Sequence, residues 1–268
     1  MIKIGIRGHD LPTYNDVDKM NYELDRFGFD GVQLVLKKSF DTKFDPSEFM
    51  NELKGLNPLM VGAYFNPVHP DGAIVEEGIK HFKDMTKFAS KVGSLYVGSE
   101  TGSLMGSPWG YVKENHSDDS LAKVVTIFKD LCREAQKNGV NVAIEGAYAH
   151  VVYSPKRLKE TLDLIDEINL FVTVDIFNYL NLDNYKNHVD IFKECLELFK
   201  DRIVILHLKD FVINDGELIQ VGLGQGLMDY KRIIPIVKKE LNDANLIFEG
   251  VKPEDIESSL KYIRNLLR

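Results

Sequence analysis

Eight short apolar runs punctuate the chain, at residues 2–6, 31–36, 59–65, 95–98, 140–145, 170–175, 203–208 and 245–249. Each is too short for a free-standing helix, and most are apolar on both faces, which is how a parallel strand covered on both sides reads. Longer amphipathic stretches lie between them. The clearest carries Leu121, Val124, Val125, Phe128, Leu131, Cys132 and Ala135 at the i, i+3, i+4 spacing that lays one apolar stripe along a helix. The same periodicity predicts helices over 14–27, 73–92, 155–168, 185–199, 230–241 and 253–267, with a weaker one over 46–53. Ser154 ahead of Pro155 suits an N-cap followed by the first helical position. Gly28, Gly55, Gly93 and Gly139 each follow a periodic stretch, where a residue that can turn left-handed is needed. The 268 residues contain no Pro-rich, low-complexity or like-charge linker. The expectation is therefore an α/β chain in which residues 1–268 form one (β/α)8 barrel, since a doubly wound open sheet usually has fewer strands.

Such a barrel carries its active site at the C-terminal ends of the strands, so the polar residues there become the candidates. Arg7 and His9 follow the first run, Gln33 lies in the second, Asn66 and His69 follow the third, and Glu100 follows the fourth. Glu145 ends the fifth run and Asp175 the sixth, His207 lies in the seventh just before Lys209 and Asp210, and Glu249 ends the eighth. One acidic residue at a strand end is commonly a helix cap or half of a surface ion pair. Four metal-binding side chains on the last four strands are different, because burying them at the end of an apolar barrel is costly and a cation is the simplest partner. Three carboxylates and one neutral imidazole suit a divalent cation such as Mn²⁺, Mg²⁺ or Zn²⁺, with positions left for substrate oxygens.

Composition narrows the partners. Lys+Arg number 33 against 41 Asp+Glu, a formal net charge of −8, which disfavours nucleic acid because phosphate-backbone binding depends on Lys/Arg neutralisation. No stretch approaches the roughly 20 apolar residues that span a bilayer, and no secretory leader precedes Ile2, so no membrane partner and a cytoplasmic location are expected. Cys132 and Cys195 fall in helical patterns without metal spacing and read as small core residues of a reducing compartment.

The runs Ile144-Glu145, Val174-Asp175, His207-Leu208-Lys209-Asp210, Leu223 to Tyr230 with its Gly-x-Gly-x-x-Asp, and Phe248-Glu249 resemble the xylose isomerase-like barrel superfamily, in particular the sugar phosphate isomerase/epimerase group with the ketose 3-epimerases. The resemblance implies that Glu145, Asp175, His207 and Glu249 bind one divalent metal, Mn²⁺ ahead of Mg²⁺, Co²⁺ or Zn²⁺, and that Glu145 and Glu249 double as a catalytic acid/base pair. The chemistry is coherent by itself: a metal holding two adjacent substrate oxygens stabilises an enediolate, and two carboxylates from opposite sides can remove and return a proton. An isomerase or epimerase of a small sugar, polyol or sugar phosphate is the implied function. The pattern departs from the family's in three places. Asn178 stands where many relatives carry a sixth-strand His, Gln33 where the second strand often ends in Glu, and Phe211, Val212 and Ile213 where ketose epimerases carry a basic residue.

Candidate substrate contacts are Arg7, whose fork suits an anionic group, with His9, Asn66, His69, Trp109, Asn178 and Lys209. His150 reads either as a contact or as a structural histidine, and Lys209 either as a contact or as a partner of Asp210 and Glu249. The Gly- and Ser-rich segment 100–117, with the only tryptophan, Trp109, is either a lid or a decorated surface loop. Gly222, Gly224 and Gly226 look like a phosphate cradle, but a tight turn before the helix at Tyr230 is the preferred reading. The competing functions are a dehydratase of a cyclic polyol ketone (an inosose) on the same metal site, an apurinic-site endonuclease, which would need more strand-end histidines, and a non-catalytic binding barrel. A homodimer or homotetramer is compatible with the sequence.

Overall fold

Gly-Val-Gln-Leu at β2 (Gly31–Leu34) and Pro-Leu-Met-Val-Gly at β3 (Pro58–Gly62) are buried at every position, so neither strand has a solvent face. The computed structural model, which describes residues 1–268, places them in a closed wall with β1 (Lys3–Arg7), β4 (Tyr96–Glu100), β5 (Asn141–Glu145), β6 (Leu170–Asp175), β7 (Ile203–Leu208) and β10 (Asn245–Phe248). The strand order around the wall is β1-β10-β7-β6-β5-β4-β3-β2, and every neighbouring pair is parallel. The eight-stranded barrel is thus present. Nine helices lie along the chain: α1 (Val17–Phe27), α2 (Leu36–Ser39), α3 (Met50–Gly55), α4 (Gly72–Val92), α5 (Asp118–Lys137), α6 (Pro155–Ile165), α7 (His188–Phe199), α8 (Tyr230–Glu240) and α9 (Ile256–Leu267).

The helices start where side chains can accept orphan amides: Asp16 from Lys19, Ser117 from Ser120, Ser154 from Arg157 and Asp229 from Arg232. Gly28 and Gly93 end α1 and α4 in the left-handed conformation at φ 81° and 78°. Gly55 departs from expectation. It lies inside α3, and the left-handed turn falls at Asn57 (φ 50°), whose side chain can hydrogen-bond locally and tolerates that region.

Most of the core, 62 buried residues, lies between the wall and the helices, and a second cluster of Leu59, Met60, Ala143, Ile205 and Ile247 fills the barrel interior. Close approach of Met60 depends on Gly98, where a Cβ would meet its sulfur at 2.5 Å. Above this apolar floor, the charged residues gather at the C-terminal rim.

Two local differences from the sequence expectation matter for the site. The second run ends at Leu34, and Leu36 already belongs to the one-turn α2. Residues 210–221, to which the sequence pattern assigned no element, form an antiparallel hairpin of β8 (Asp210–Asn214) and β9 (Glu217–Val221). Its turn is Asp215-Gly216, both at positive φ (48° and 78°), the Asp-Gly pair that a two-residue hairpin favours. That dipeptide was the signal available in the sequence.

Candidate active site

Register brings the strand-end residues into one layer. Glu100 on β4 is level with Glu145 on β5, and Asp175 on β6 is level with His207 on β7. His207 lies opposite Ile247 on β10, two residues before Glu249. Ligand atoms of Glu145, Asp175, His207 and Glu249 all lie within 4.8 Å of one another, the four residues named from the sequence.

Each carboxylate gives one oxygen to the protein. Glu145 Oε1 accepts from Asn178 Nδ2 at 2.7 Å, Asp175 Oδ1 accepts from the Asn178 amide at 3.2 Å, and Glu249 Oε1 accepts from Arg7 at 2.8 Å. Lys209 Nζ adds contacts to Glu249 Oε1 at 2.9 Å and to Asp175 Oδ2 at 2.8 Å. The other carboxylate oxygens converge on His207 Nδ1, at 2.7 Å (Glu249 Oε2), 3.5 Å (Glu145 Oε2) and 4.0 Å (Asp175 Oδ2).

The orientation of His207 is set from β2. Its Nε2 meets Gln33 Oε1 at 2.8 Å, and Gln33 Nε2 donates to the Tyr64 hydroxyl at 2.9 Å. With its amide nitrogen committed, Gln33 can only accept, so Nε2 carries a proton and Nδ1 is the nitrogen left to face the carboxylates. His207 Nδ1 and Asp175 Oδ2 are both buried with only charged neighbours, Nδ1 facing Glu249 Oε2 and Oδ2 facing the Lys209 ammonium. One imidazole nitrogen and three carboxylate oxygens converging within 4.8 Å, with the ring held from its other side by an outer acceptor, form a donor set that fits a divalent cation.

The electrostatics of the bare cluster carry the same imprint. Burial opposes protonation of His207, yet Glu249 and Glu145 override it and hold its pKa up to about 10, a proton standing where a cation would. Burial also opposes ionisation of Glu249, but Lys209, His207 and Arg7 outweigh it and hold that carboxyl well below the usual range. Burial raises Glu145, with His207 pulling the other way. Asp175 is pushed up to about 6 by burial despite Lys209.

A cavity of about 330 Å³ opens beside Glu249, lined also by Arg7, His9, Lys38, Tyr64, Glu100 and Trp109. A second, of about 320 Å³, shares Tyr64 and Trp109 with it and includes Lys37, His69 and His81. A larger groove of about 590 Å³ lies between α6 and α7 at the opposite, N-terminal end of the barrel, where Asp163, Asp166 and Arg202 bring no convergent donor set.

The remaining residues named from the sequence divide clearly. Arg7, His9 and Trp109 line the first cavity and His69 the second, while Asn178 and Lys209 touch the carboxylates. Asn66 lines the second cavity as well, but its amide is spent on the loop, donating to the Ser103 and Gly106 carbonyls and accepting from the Val68 and Ser103 amides. Asn115 ties the same loop through Leu104, Ser103 and Ala149, so segment 100–117 is an anchored cover that holds Trp109 over the cavity. His150 packs edge-on to Trp109 at 5.7 Å. Lys209 pairs with Asp175 and Glu249, while Asp210 takes another role: its carboxylate accepts from the amides of Gly224, Gly226 and Met228. The glycine turn is therefore filled by the protein's own carboxylate. At Gly226 a Cβ would come within 2.3 Å of that carboxylate, which is why glycine stands there.

Gln33 and Glu100, strand-end polar residues in the sequence, belong to the site, and so do Tyr64 and Asp10, which no sequence pattern marked. Asp10 holds Arg7 through two bonds of 2.7 and 2.9 Å and accepts from the Gly250 amide beside Glu249.

Comparison with known proteins agrees with this architecture. Residues 22–266 match the xylose isomerase-like TIM barrel family, and the chain belongs to that family. No curated protein matches the sequence. Among solved structures, the fold is similar to an IolI protein with a bound zinc atom (TM-score 0.73, 17% identity, 98% of this chain and 96% of that one). It is also similar to 3-keto-D-glucoside 4-epimerase YcjR from E. coli (TM-score 0.77, 15% identity, 99% and 100% covered). A third similar structure is the probable 3-DHS dehydratase AsbF from Bacillus anthracis (TM-score 0.77, 15% identity, 98% and 99% covered). At these identities the likeness concerns the fold.

Proposed function

We propose that this protein is a divalent-metal-dependent isomerase or epimerase of a small polyhydroxy ketone or aldose. The observation that carries the reading is the convergence of one oxygen from each of Glu145, Asp175 and Glu249 on the free Nδ1 of His207, beside a cavity of sugar size. Manganese is the preferred metal, with magnesium, cobalt and zinc as alternatives. When bound, the metal supplies Lewis-acid stabilisation of the negative charge that builds on adjacent substrate oxygens.

The chain's own residues supply the proton transfers. Glu145 and Glu249 come from β5 and from the residue after β10, three strands apart around the wall, so a substrate carbon between them meets a carboxylate on either face. One removes the proton next to the carbonyl and the other returns it, general acid/base work contributing roughly 10²–10⁴-fold. Arg7 and Lys209 both bind Glu249 Oε1 and keep that group ionised and oriented. Glu145 has only the neutral Asn178 amide on its outer oxygen and is the easier of the two to protonate. Trp109, held over the cavity by its anchored loop, excludes water from the reactive intermediate.

The deciding experiment follows solvent-deuterium incorporation by NMR across ketoses, ketose phosphates and inososes with Mn²⁺ present. Exchange at one carbon, abolished in Glu145→Gln and Glu249→Gln, is the expected result. Loss of a hydroxyl with a new carbon–carbon double bond would assign the dehydratase reaction instead. No bound divalent metal, with no exchange in any substrate, would leave a binding barrel.

A further inference from the structure

One carboxylate of the strand-end layer is unaccounted for. Glu145, Asp175, Glu249 and Asp10 each accept from a named donor, whereas the Glu100 side chain makes neither a hydrogen bond nor an ion pair. It stands outside the four-residue metal cluster, although its strand register sets it level with Glu145. Its side chain lines the first cavity with Arg7, His9, Lys38, Tyr64, Trp109 and Glu249. A half-buried carboxylate at the top of a barrel, with no donor from the chain, is open to a donor from the cavity. The one neighbour left to supply donors is whatever fills the cavity.

The other charged groups facing that cavity limit what this ligand can be. Arg7 is already bound to Asp10 and Glu249, so its charge is answered. Lys38 is exposed and in no ion pair, and His9 is kept neutral by burial and by Arg7, its pKa lowered to about 4. A free cation at the exposed edge and a free carboxylate inside leave the interior short of donors rather than of charge. A hydroxyl group donates without bringing a charge.

We propose that Glu100 contacts substrate directly and accepts hydrogen bonds from hydroxyl groups of a neutral polyhydroxy ketone, on carbons beyond the reacting pair, thereby selecting uncharged polyols. The assignment deepens the isomerase reading and rests on it. A site built to receive a hydroxyl rejects the analogue lacking it, because the acceptor is then left buried and unanswered. A phosphate or carboxylate in the same place would face the negative charge of Glu249 as well as Glu100, whose pKa burial raises to about 7.

The test uses the full chain loaded with Mn²⁺, in wild-type, Glu100→Gln and Glu100→Ser forms, each shown to be folded by circular dichroism. The probes are free ketohexoses, their monodeoxy analogues and D-fructose 1-phosphate, read by calorimetric affinity and by the KM and kcat of deuterium exchange. The wild type is expected to bind a free ketose at least about 10-fold more tightly than one of its deoxy analogues and than the phosphate. Both variants should raise KM for the free ketose by about 10-fold or more, change kcat less, and erase the preference over the deoxy analogue. The proposal is overturned by unchanged KM and affinity in both variants, by a wild type that prefers the phosphate, or by a wild type that binds no free ketose. Failure of the isomerase reading looks different: ketose affinity that responds to Glu100 while exchange never occurs, or exchange indifferent to Glu145→Gln and Glu249→Gln.

Discussion

Replacing Gln33 by Leu should weaken divalent-metal binding without removing any ligand. Gln33 lies on β2, across the barrel from β7, and reaches the cluster only through His207 Nε2 at 2.8 Å. Leu fills similar space and accepts nothing, so the Nε2–H loses its partner in a fully buried setting, and the tautomer that frees Nδ1 loses its support. An unsatisfied buried donor costs about 1–3 kcal/mol. That range corresponds to roughly 5- to 150-fold in an equilibrium constant, and outer partners of metal-bound histidines are typically worth about 10–100-fold in metal affinity. The expectation is therefore a Kd for Zn²⁺ or Mn²⁺ raised about 10–100-fold in Gln33→Leu. Chelator competition at fixed pH measures it, with His207→Ala as the reference for losing a ligand altogether. Gln33→Glu keeps an acceptor and should retain metal better than Gln33→Leu. If Gln33→Leu binds metal within about twofold of wild type while His207→Ala does not, the hydrogen bond does not set the imidazole and the reasoning fails.

Further tests address the cluster, the fold and acid stability. Saturating Mn²⁺ or Zn²⁺ should raise the unfolding midpoint of the wild type, by the equivalent of about 4 kcal/mol at a thousand times Kd, and have little effect on Asp175→Asn or Glu249→Gln; equal shifts in all three would place the metal elsewhere. Asp210→Ala should destabilise the protein by at least about 3 kcal/mol in urea, because it strands the buried amides that converge on that carboxylate, and a cost under about 1 kcal/mol would deny it the anchoring role. Burial lowers His150 from 6.5 to about 4, so the folded state binds fewer protons than the unfolded one in that window. The stabilisation is complete above pH 6.5 and is lost as pH falls toward 4, amounting to about 2–3 kcal/mol by pH 4.5. His150→Gln should shrink the difference in urea stability between pH 7.5 and 4.5 by that amount, and an unchanged difference would show that His150 is not held neutral.

The barrel and its ligands were legible because both are written in local patterns. A doubly buried strand declares itself within five or six residues, and Glu145, Asp175 and Glu249 stand where those patterns stop. Asn57 takes the turn expected at Gly55, and Asp215-Gly216 closes a hairpin, because Asn and Asp tolerate positive φ nearly as glycine does and so leave the position of a turn open in sequence. The outer residues are a different matter. Gln33 and His207 are 174 positions apart, and Arg7 and Glu249 are 242 apart. Nothing local distinguishes a strand glutamine that fixes an imidazole from one that packs in a wall; only barrel closure, which sets β1 beside β10 and β2 across from β7, gives it a role.

That closure also makes the two proposed acid/base groups unequal in a way the sequence conceals. Glu145 and Glu249 are each the glutamate at the end of an apolar strand, and the pattern treats them alike. In the fold, Glu249 inherits two cations from distant strands, Arg7 from β1 and Lys209 from just past β7, both on the same oxygen, while Glu145 receives a neutral amide. Asp10 reinforces the difference by gripping Arg7 at two points and Gly250 at a third, so the Arg7 fork cannot swing away to bind a substrate anion. Arg7, expected from the sequence to suit an anionic substrate group, lines the cavity with its fork already bonded to Asp10 and Glu249. On the proposed reading, discrimination among substrates falls to the cavity's free groups, Glu100 inside and Lys38 at the exposed edge.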